Sequence, residues 1–171
     1  SPWKILLRKY LKMKKLFVIG NPIKHSMSPL IHNYWITKYL FNAAYEKKEI
    51  IVEQLPEIIE EVRLGKITGL NVTVPFKKLV FELVDIIDET AKESMAVNTI
   101  YKKKGKIIGA NTDGLGFVES LIKDLAIKLK PGANIFCIGA GGAAYGIISQ
   151  LIKLKPNLVE ISNRTEKTAI K

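Results

Sequence analysis

Short β-branched runs alternate along this chain with longer amphipathic stretches. An apolar run at 16–20 predicts a strand and leads into Asn21-Pro22-Ile23-Lys24-His25-Ser26-Met27-Ser28-Pro29. The end of that loop reads as a helix start, with serine as the cap and proline at the first helical position. Leu30, Ile31, Tyr34, Trp35 and Leu40 are the apolar positions of a helix to about residue 41. Strand signals return at 43–50. A helix with Pro56 in its first turn covers about 55–64 and ends at Gly65. Residues 68–74 form a strand that stops at Pro75, the start of a short helix, and another helix covers 88–94. Strands at 97–101 and 106–110 are joined by the basic turn Lys102-Lys103-Lys104-Gly105, and a helical pattern runs to about residue 130. After the break at Pro131-Gly132 come a buried strand (135–138), a glycine turn, a helix to about 154 and a strand (158–161). This alternation predicts an α/β fold with a mostly parallel sheet and one antiparallel piece at the hairpin.

The polar residues gather where strands end. Asn71 and Thr73 are two apart, so on a strand they share a face opposite Val72 and Val74, and Lys77 follows. Neutral groups with one ammonium at the edge suit a small polyhydroxylated ligand. An ordinary strand end with a solvated lysine fits the same pattern. Ser28 is explained by helix capping; Ser26 and His25 in the same loop are not. Asn98-Thr99 and Asn111-Thr112 sit at the hairpin strands, and Asp113 comes directly after the second pair.

Composition narrows the class. The 171 residues suffice for one ordinary domain or two small ones, and no apolar run approaches the ~18 residues of a membrane span. The net charge of +11 invites a nucleic-acid reading, but the lysines are scattered and only Arg8, Arg63 and Arg164 are arginines, which describes a solvated surface. The lone Cys137 excludes an internal disulfide and reads as a small core residue in a reducing compartment. Two histidines, His25 and His32, without a cysteine partner argue against zinc. Residues 1–12 read as a tag or upstream extension, with Met13 as the natural start.

Strand, glycine turn, helix and strand after Pro131 have the order that opens a dinucleotide-binding unit. Gly139, Gly141 and Ala144 fit G-x-G-x-x-A: a tight turn, close approach to a pyrophosphate, and close helix–strand packing. A merely structural turn is the alternative. At the end of the second strand an acid would select NAD, whereas Arg164 in Ser162-Asn163-Arg164-Thr165 suits a 2′-phosphate and hence NADP.

Together these motifs resemble the shikimate dehydrogenase family from Met13 onward. Gly20 to Pro29 with His32-Asn33 is similar to its first substrate loop, Asn71 to Lys77 to its central motif, Asn98 to a substrate asparagine, and Asn111-Thr112-Asp113-Gly114 to the motif ending in its catalytic aspartate. The resemblance implies NADPH-dependent reversible reduction of 3-dehydroshikimate to shikimate in the cytoplasm. Lys77 and Asp113 would be catalytic. Ser26, Ser28, Asn71, Thr73, Lys77, Asn98 and Asp113 would bind substrate in one small pocket. Gly139, Ala140, Gly141, Gly142, Ala143, Asn163, Arg164 and Thr165 would bind NADP. It implies a shikimate-binding domain at 13–112 and part of a Rossmann-type NADP-binding domain at 113–171. One departure is Thr168, beside Lys167, where family members often carry a second basic residue. Small molecules are the expected partners, with neither nucleic acid nor membrane, and no metal. An NAD-dependent quinate/shikimate dehydrogenase and a non-catalytic shikimate-binding module are the alternatives. With two nucleotide-domain strands visible, the 171 residues alone are expected to bind shikimate weakly without hydride transfer, and residues after Pro131 to be the less stable.

Overall fold

The computed structural model describes residues 12–127 and 131–165. The expected extension at 1–12 lies outside them except for Lys12, as do Lys167 and Thr168. Contacts divide the chain into two units. The first runs to Phe76 and adds Leu83–Ile86 and Thr99–Ile108; the second holds Lys77–Glu82, Ile87–Asn98 and the residues from Gly109 onward.

The first unit is built on a mixed sheet. Strands β1 (Lys14–Gly20), β2 (Ala43–Glu49) and β3 (Gly69–Val72) are parallel, with β1 in the middle, and β5 (Thr99–Lys103) pairs antiparallel with β3. With β4 (Ile86–Ile87) and β6 (Lys106–Ala110) the order is β2-β1-β3-β5-β6-β4. The β5–β6 turn is tight because Lys104 and Gly105 both have positive φ, 49° and 78°, the requirement of a two-residue hairpin loop whose twist matches its strands. Helix α2 (Leu55–Arg63) follows a 3₁₀ turn at Val52–Gln54. It buries Leu55, Ile58, Ile59 and Val62, an i, i+3, i+4, i+7 stripe, and Gly65 beyond it has the positive φ of 70° that ends such helices. Each buried aliphatic side chain stabilises by roughly 1.5–3 kcal/mol.

Helix α1 (Ser28–Lys38) departs from its periodicity. Leu30, Ile31, Tyr34 and Trp35 are exposed, as is Leu40 beyond its end. Ile36 packs on Val18, Ile23 and Tyr45, while the Asn33 amide donates to the Tyr45 carbonyl at 2.8 Å and its carbonyl accepts the Tyr45 N–H at 3.1 Å. Tyr45 lies on β2, the edge strand, so Asn33 satisfies backbone groups that no neighbouring strand reaches. That bond, more than apolar spacing, sets the rotation of α1. The capping expectation also fails: Met27 is the cap residue, Ser28 already lies in the helix, and the Ser28 N–H donates to Ser26 Oγ at 3.3 Å.

The strand at 68–74 is shorter than its sequence suggests. It ends at Val72, the Val74–Pro75 peptide is cis, and Pro75 lies in a turn two residues ahead of helix α3 (Lys77–Phe81), not at its first position. Val74 is therefore exposed while Val72 is buried.

In the second unit, helix α4 (Glu89–Ser94) is capped by Asp88, whose carboxylate accepts the Ala91 N–H at 3.0 Å. Helix α5 (Asp113–Lys123) stops short of the expected 130; residues 128–130 lie outside the described ones. Strand β7 (Asn134–Ile138), helix α6 (Gly142–Ile152) and strand β8 (Leu158–Ser162) follow, with β7 and β8 parallel in a separate two-stranded sheet. Burial alternates along both strands, so β7 is not fully buried as expected: Phe136 and Ile138 are exposed and Cys137 is half-buried. No helix among the described residues is long and apolar enough to cross a membrane.

Candidate active site

In the first unit the end of β3 carries a polar network. Tyr45 Oη donates to Asn71 Oδ1 at 2.6 Å, and Asn71 Nδ2 donates to Thr99 Oγ1 at 3.2 Å. The Tyr45 hydroxyl is also hydrogen bonded to the Ser28 side chain. Burial pushes its pKa up to about 12, with the Ser28 contact acting weakly the other way. Ser26 joins through the Ser28 N–H, so Ser26, Ser28 and Asn71 lie on one continuous network. Thr73 stands beside it: its N–H donates to Ile19 O at 2.9 Å, and its methyl group would lie 2.6 Å from a Cβ on Gly20. Gly20 thus has no room for a side chain where β1 enters the serine loop.

In the second unit Lys77 opens α3 and Asp113 opens α5. Lys77 Nζ lies 2.6 Å from Asp113 Oδ2, with both side chains partly exposed. The other carboxylate oxygen, Oδ1, accepts from Asn98 Nδ2 at 2.7 Å. Asn98 is buried; its carbonyl accepts the Thr112 N–H at 3.0 Å, and its amide also reaches Thr112 Oγ1 at 3.0 Å. Asn111 supports the same corner: its Oδ1 accepts the Asp113 N–H at 2.9 Å and its Nδ2 donates to Ala96 O at 3.0 Å. The Lys77 backbone is held by the Val97 N–H at 2.8 Å. Both ends of the ion pair are therefore fixed by buried amides, and each Asp113 oxygen has a partner. Among the described residues no group of His, Cys, Asp and Glu could hold a metal ion.

The glycine turn lies between β7 and α6. Gly139 has a φ of 106°, open to glycine and strained for other residues. Its N–H donates to Ser162 O at 2.7 Å, and the Ala140 N–H donates to Asn163 Oδ1 at 3.2 Å. Asn163 Nδ2 in turn holds Thr165 O at 2.8 Å, so one asparagine ties the turn to the segment carrying the exposed Arg164. A Cβ on Gly139 or Gly141 would meet nothing within 4 Å. The space over the turn is open, and no side chain caps α6.

Residues 18–100 match the family described as shikimate dehydrogenase substrate binding domain. A shikimate dehydrogenase (NADP(+)) of Pelagibacter ubique is 49% identical over 160 residues, 92% of this chain and 59% of the relative. The chain belongs to the shikimate dehydrogenase family. A crystal structure of shikimate dehydrogenase from Aquifex aeolicus aligns over 92% of this chain and 58% of its own, with a TM-score of 0.84 and 41% identity. The Thermus thermophilus enzyme in complex with NADP(H) and shikimate aligns with a TM-score of 0.83 and 33% identity, again over 92% of this chain and 59% of its own. The chain thus spans about three fifths of the length of these shikimate dehydrogenases.

Against that family background, two residues enter the Asn71 network to which the sequence had assigned no site role. Thr99 carries the expected Asn-Thr pair one step further by bonding Asn71. Tyr45 gave no local signal: it sits in a strand among glutamates and lysines, and its bond to Asn71 spans 26 residues.

Proposed function

We propose that the protein catalyses the reversible NADPH-dependent reduction of 3-dehydroshikimate to shikimate, the activity named for its relatives. The observation that carries this reading is the Lys77–Asp113 pair with Asn98 on its second oxygen. Reducing a ketone to an alcohol needs hydride at carbon and a proton at oxygen. Bound NADPH would supply the hydride. Lys77 Nζ lies 2.6 Å from Asp113 Oδ2, a pair that can give a proton to the substrate oxygen or take it back from the alcohol. Asn98 keeps the carboxylate from turning away. Ser26 and Ser28 take the substrate carboxylate, and Asn71, Thr73 and Asn98 its hydroxyl groups. Residues 13–112 form the acid-binding domain and 113–171 belong to the nucleotide-binding domain of an enzyme of the cytoplasm.

The nucleotide site has what NADP needs. Backbone N–H groups of Gly142 and Ala143 at the start of α6 suit the pyrophosphate, with open space above Gly139 and Gly141, while Ala140 ties the turn to Asn163. Asn163 and Thr165 shape the segment in which Arg164 reads the 2′-phosphate by charge-assisted hydrogen bonds.

The test is NADPH formation from shikimate and NADP, followed by absorbance in the natural protein, beside shikimate binding by calorimetry. Lys77→Ala should lower turnover at least about 10²-fold, the low end for a general acid or base, and weaken binding far less. Near-normal turnover in the variant overturns the assignment. Binding without turnover in the unaltered protein would leave a binding module and no enzyme.

A further inference from the structure

The His32-Asn33 pair of α1 has no part in the reaction just described, yet both side chains close on one residue. The His32 ring stacks on Tyr45 with centroids 4.2 Å apart and planes within 8°. Asn33 binds the Tyr45 peptide on both its N–H and its C=O. Below, Val18 and Ile23 pack against the tyrosine, which is 3% exposed. Ring, peptide and packing thus hold the Tyr45 hydroxyl against Asn71 Oδ1, at 2.6 Å, with the Ser28 side chain as its second partner.

From this geometry we infer that Tyr45 is a positioning residue: by donating to Asn71 Oδ1 it fixes which end of the Asn71 amide is oxygen and which is nitrogen, and so how Asn71 meets a substrate hydroxyl. This rests on the reading of Asn71 as a substrate residue and deepens it. An asparagine amide rotated by half a turn offers an acceptor where it offered a donor, so its orientation has to be imposed from outside. Tyr45 imposes it from one end and Thr99 from the other. A tyrosine hydroxyl suits this because it stays protonated throughout the working pH range, burial having raised its pKa to about 12. The inference also gives His32 and Asn33 a purpose: they hold the holder.

Two measurements on the natural protein test it, one of which needs no ligand. In nuclear magnetic resonance of the free protein, the Asn71 side-chain amide should be as rigid as the backbone, with an order parameter near ~0.85, and should fall below about 0.6 in Tyr45→Phe. An unchanged value in Tyr45→Phe overturns the inference. Should that variant fail to fold, the unaltered protein decides: a slowly exchanging Tyr45 hydroxyl proton is expected, and a freely exchanging one overturns it. The second measurement is a double-mutant cycle on shikimate affinity. Tyr45→Phe should weaken binding about 3- to 10-fold on its own and have no effect once Asn71 is Ala. Equal losses in both backgrounds overturn it. If the unaltered protein binds no shikimate, the proposed function fails while the amide measurement still decides the role of Tyr45.

Discussion

Asp85 shows how much a single side chain can organise. Its carboxylate receives a two-pronged contact from Arg63, Nη1 to Oδ2 at 2.7 Å and Nη2 to Oδ1 at 3.0 Å, and its Oδ2 also accepts the Ile107 N–H at 2.7 Å. The Arg63 contact, followed by the backbone bond, lowers its pKa from 3.8 to about 2. A carboxylate depressed in the folded state contributes stability that is fully present above the unfolded pKa and is lost as pH falls through the folded one. Asp85→Asn should therefore melt below the unaltered protein at pH 5–7, and the gap should close between about pH 4 and pH 2. A gap that stayed constant down to pH 2 would show that the ion pair is not what Asp85 supplies. At this scale the sequence was legible where chemistry is local. Asp88 reads as the start of α4 and caps it, and Gly139 reads as a turn glycine and has the positive φ. Ser28 was misread because a cap position one residue earlier satisfies the same Ser-Pro pattern, and only its distant partner Tyr45 shows where its side chain goes.

At the level of elements, Gly114 marks a close approach of two helices in the second unit. A Cβ there would lie 1.9 Å from Gly146 O and 2.8 Å from Gln150 Cγ, so α5 and α6 touch backbone to backbone. Gln150 and Lys153 on α6 also reach Glu93 of α4, each at 2.8 Å. Asp113 is the residue before Gly114, so this crossing fixes the start of the helix that presents it. Gly114→Ala has to push the helices apart and should cost about 1–3 kcal/mol in urea unfolding, the range for overpacking. Gly116, with nothing within 4 Å, is the control: its alanine variant should be neutral or slightly stabilising, since alanine favours a helix interior. Equal effects at the two positions would refute the crossing. The sequence showed both glycines but could not tell them apart, because the neighbour that distinguishes Gly114 lies 32 residues away in another helix. Helix α2 was legible for the opposite reason, since its apolar stripe and its buried stripe coincide. Helix α1 was not: its orientation follows Asn33 on an edge strand, a contact that helical periodicity does not encode.

For the molecule as a whole, the two sheets differ in how far they are covered. Strands β1 and β3 lie inside a six-stranded sheet, and Val18, Ile19, Leu70 and Val72 are all at most 3% exposed. Among the described residues strands β7 and β8 pair only with each other, and Ile138 is 85% exposed, Phe136 60% and Leu158 51%. A parallel pair needs apolar cover on both faces to be stable, and a strand with one neighbour exchanges its amides through smaller openings than one with two. Such openings need not break the first sheet, since the β7–β8 ladder shares no strand with it. Hydrogen exchange of these 171 residues should therefore show two tiers, with amides of Val18, Ile19 and Leu70 exchanging through global unfolding and those of Ile135, Cys137 and Val159 at least about tenfold faster, a difference of ~1.4 kcal/mol or more. If NADP binds at the glycine turn as proposed, it should slow the second tier and leave the first unchanged, because a ligand protects the segments whose opening destroys its site. A single tier, with all these amides exchanging at one rate, would mean that the two sheets unfold together and that the bare apolar face of β7 and β8 carries no penalty.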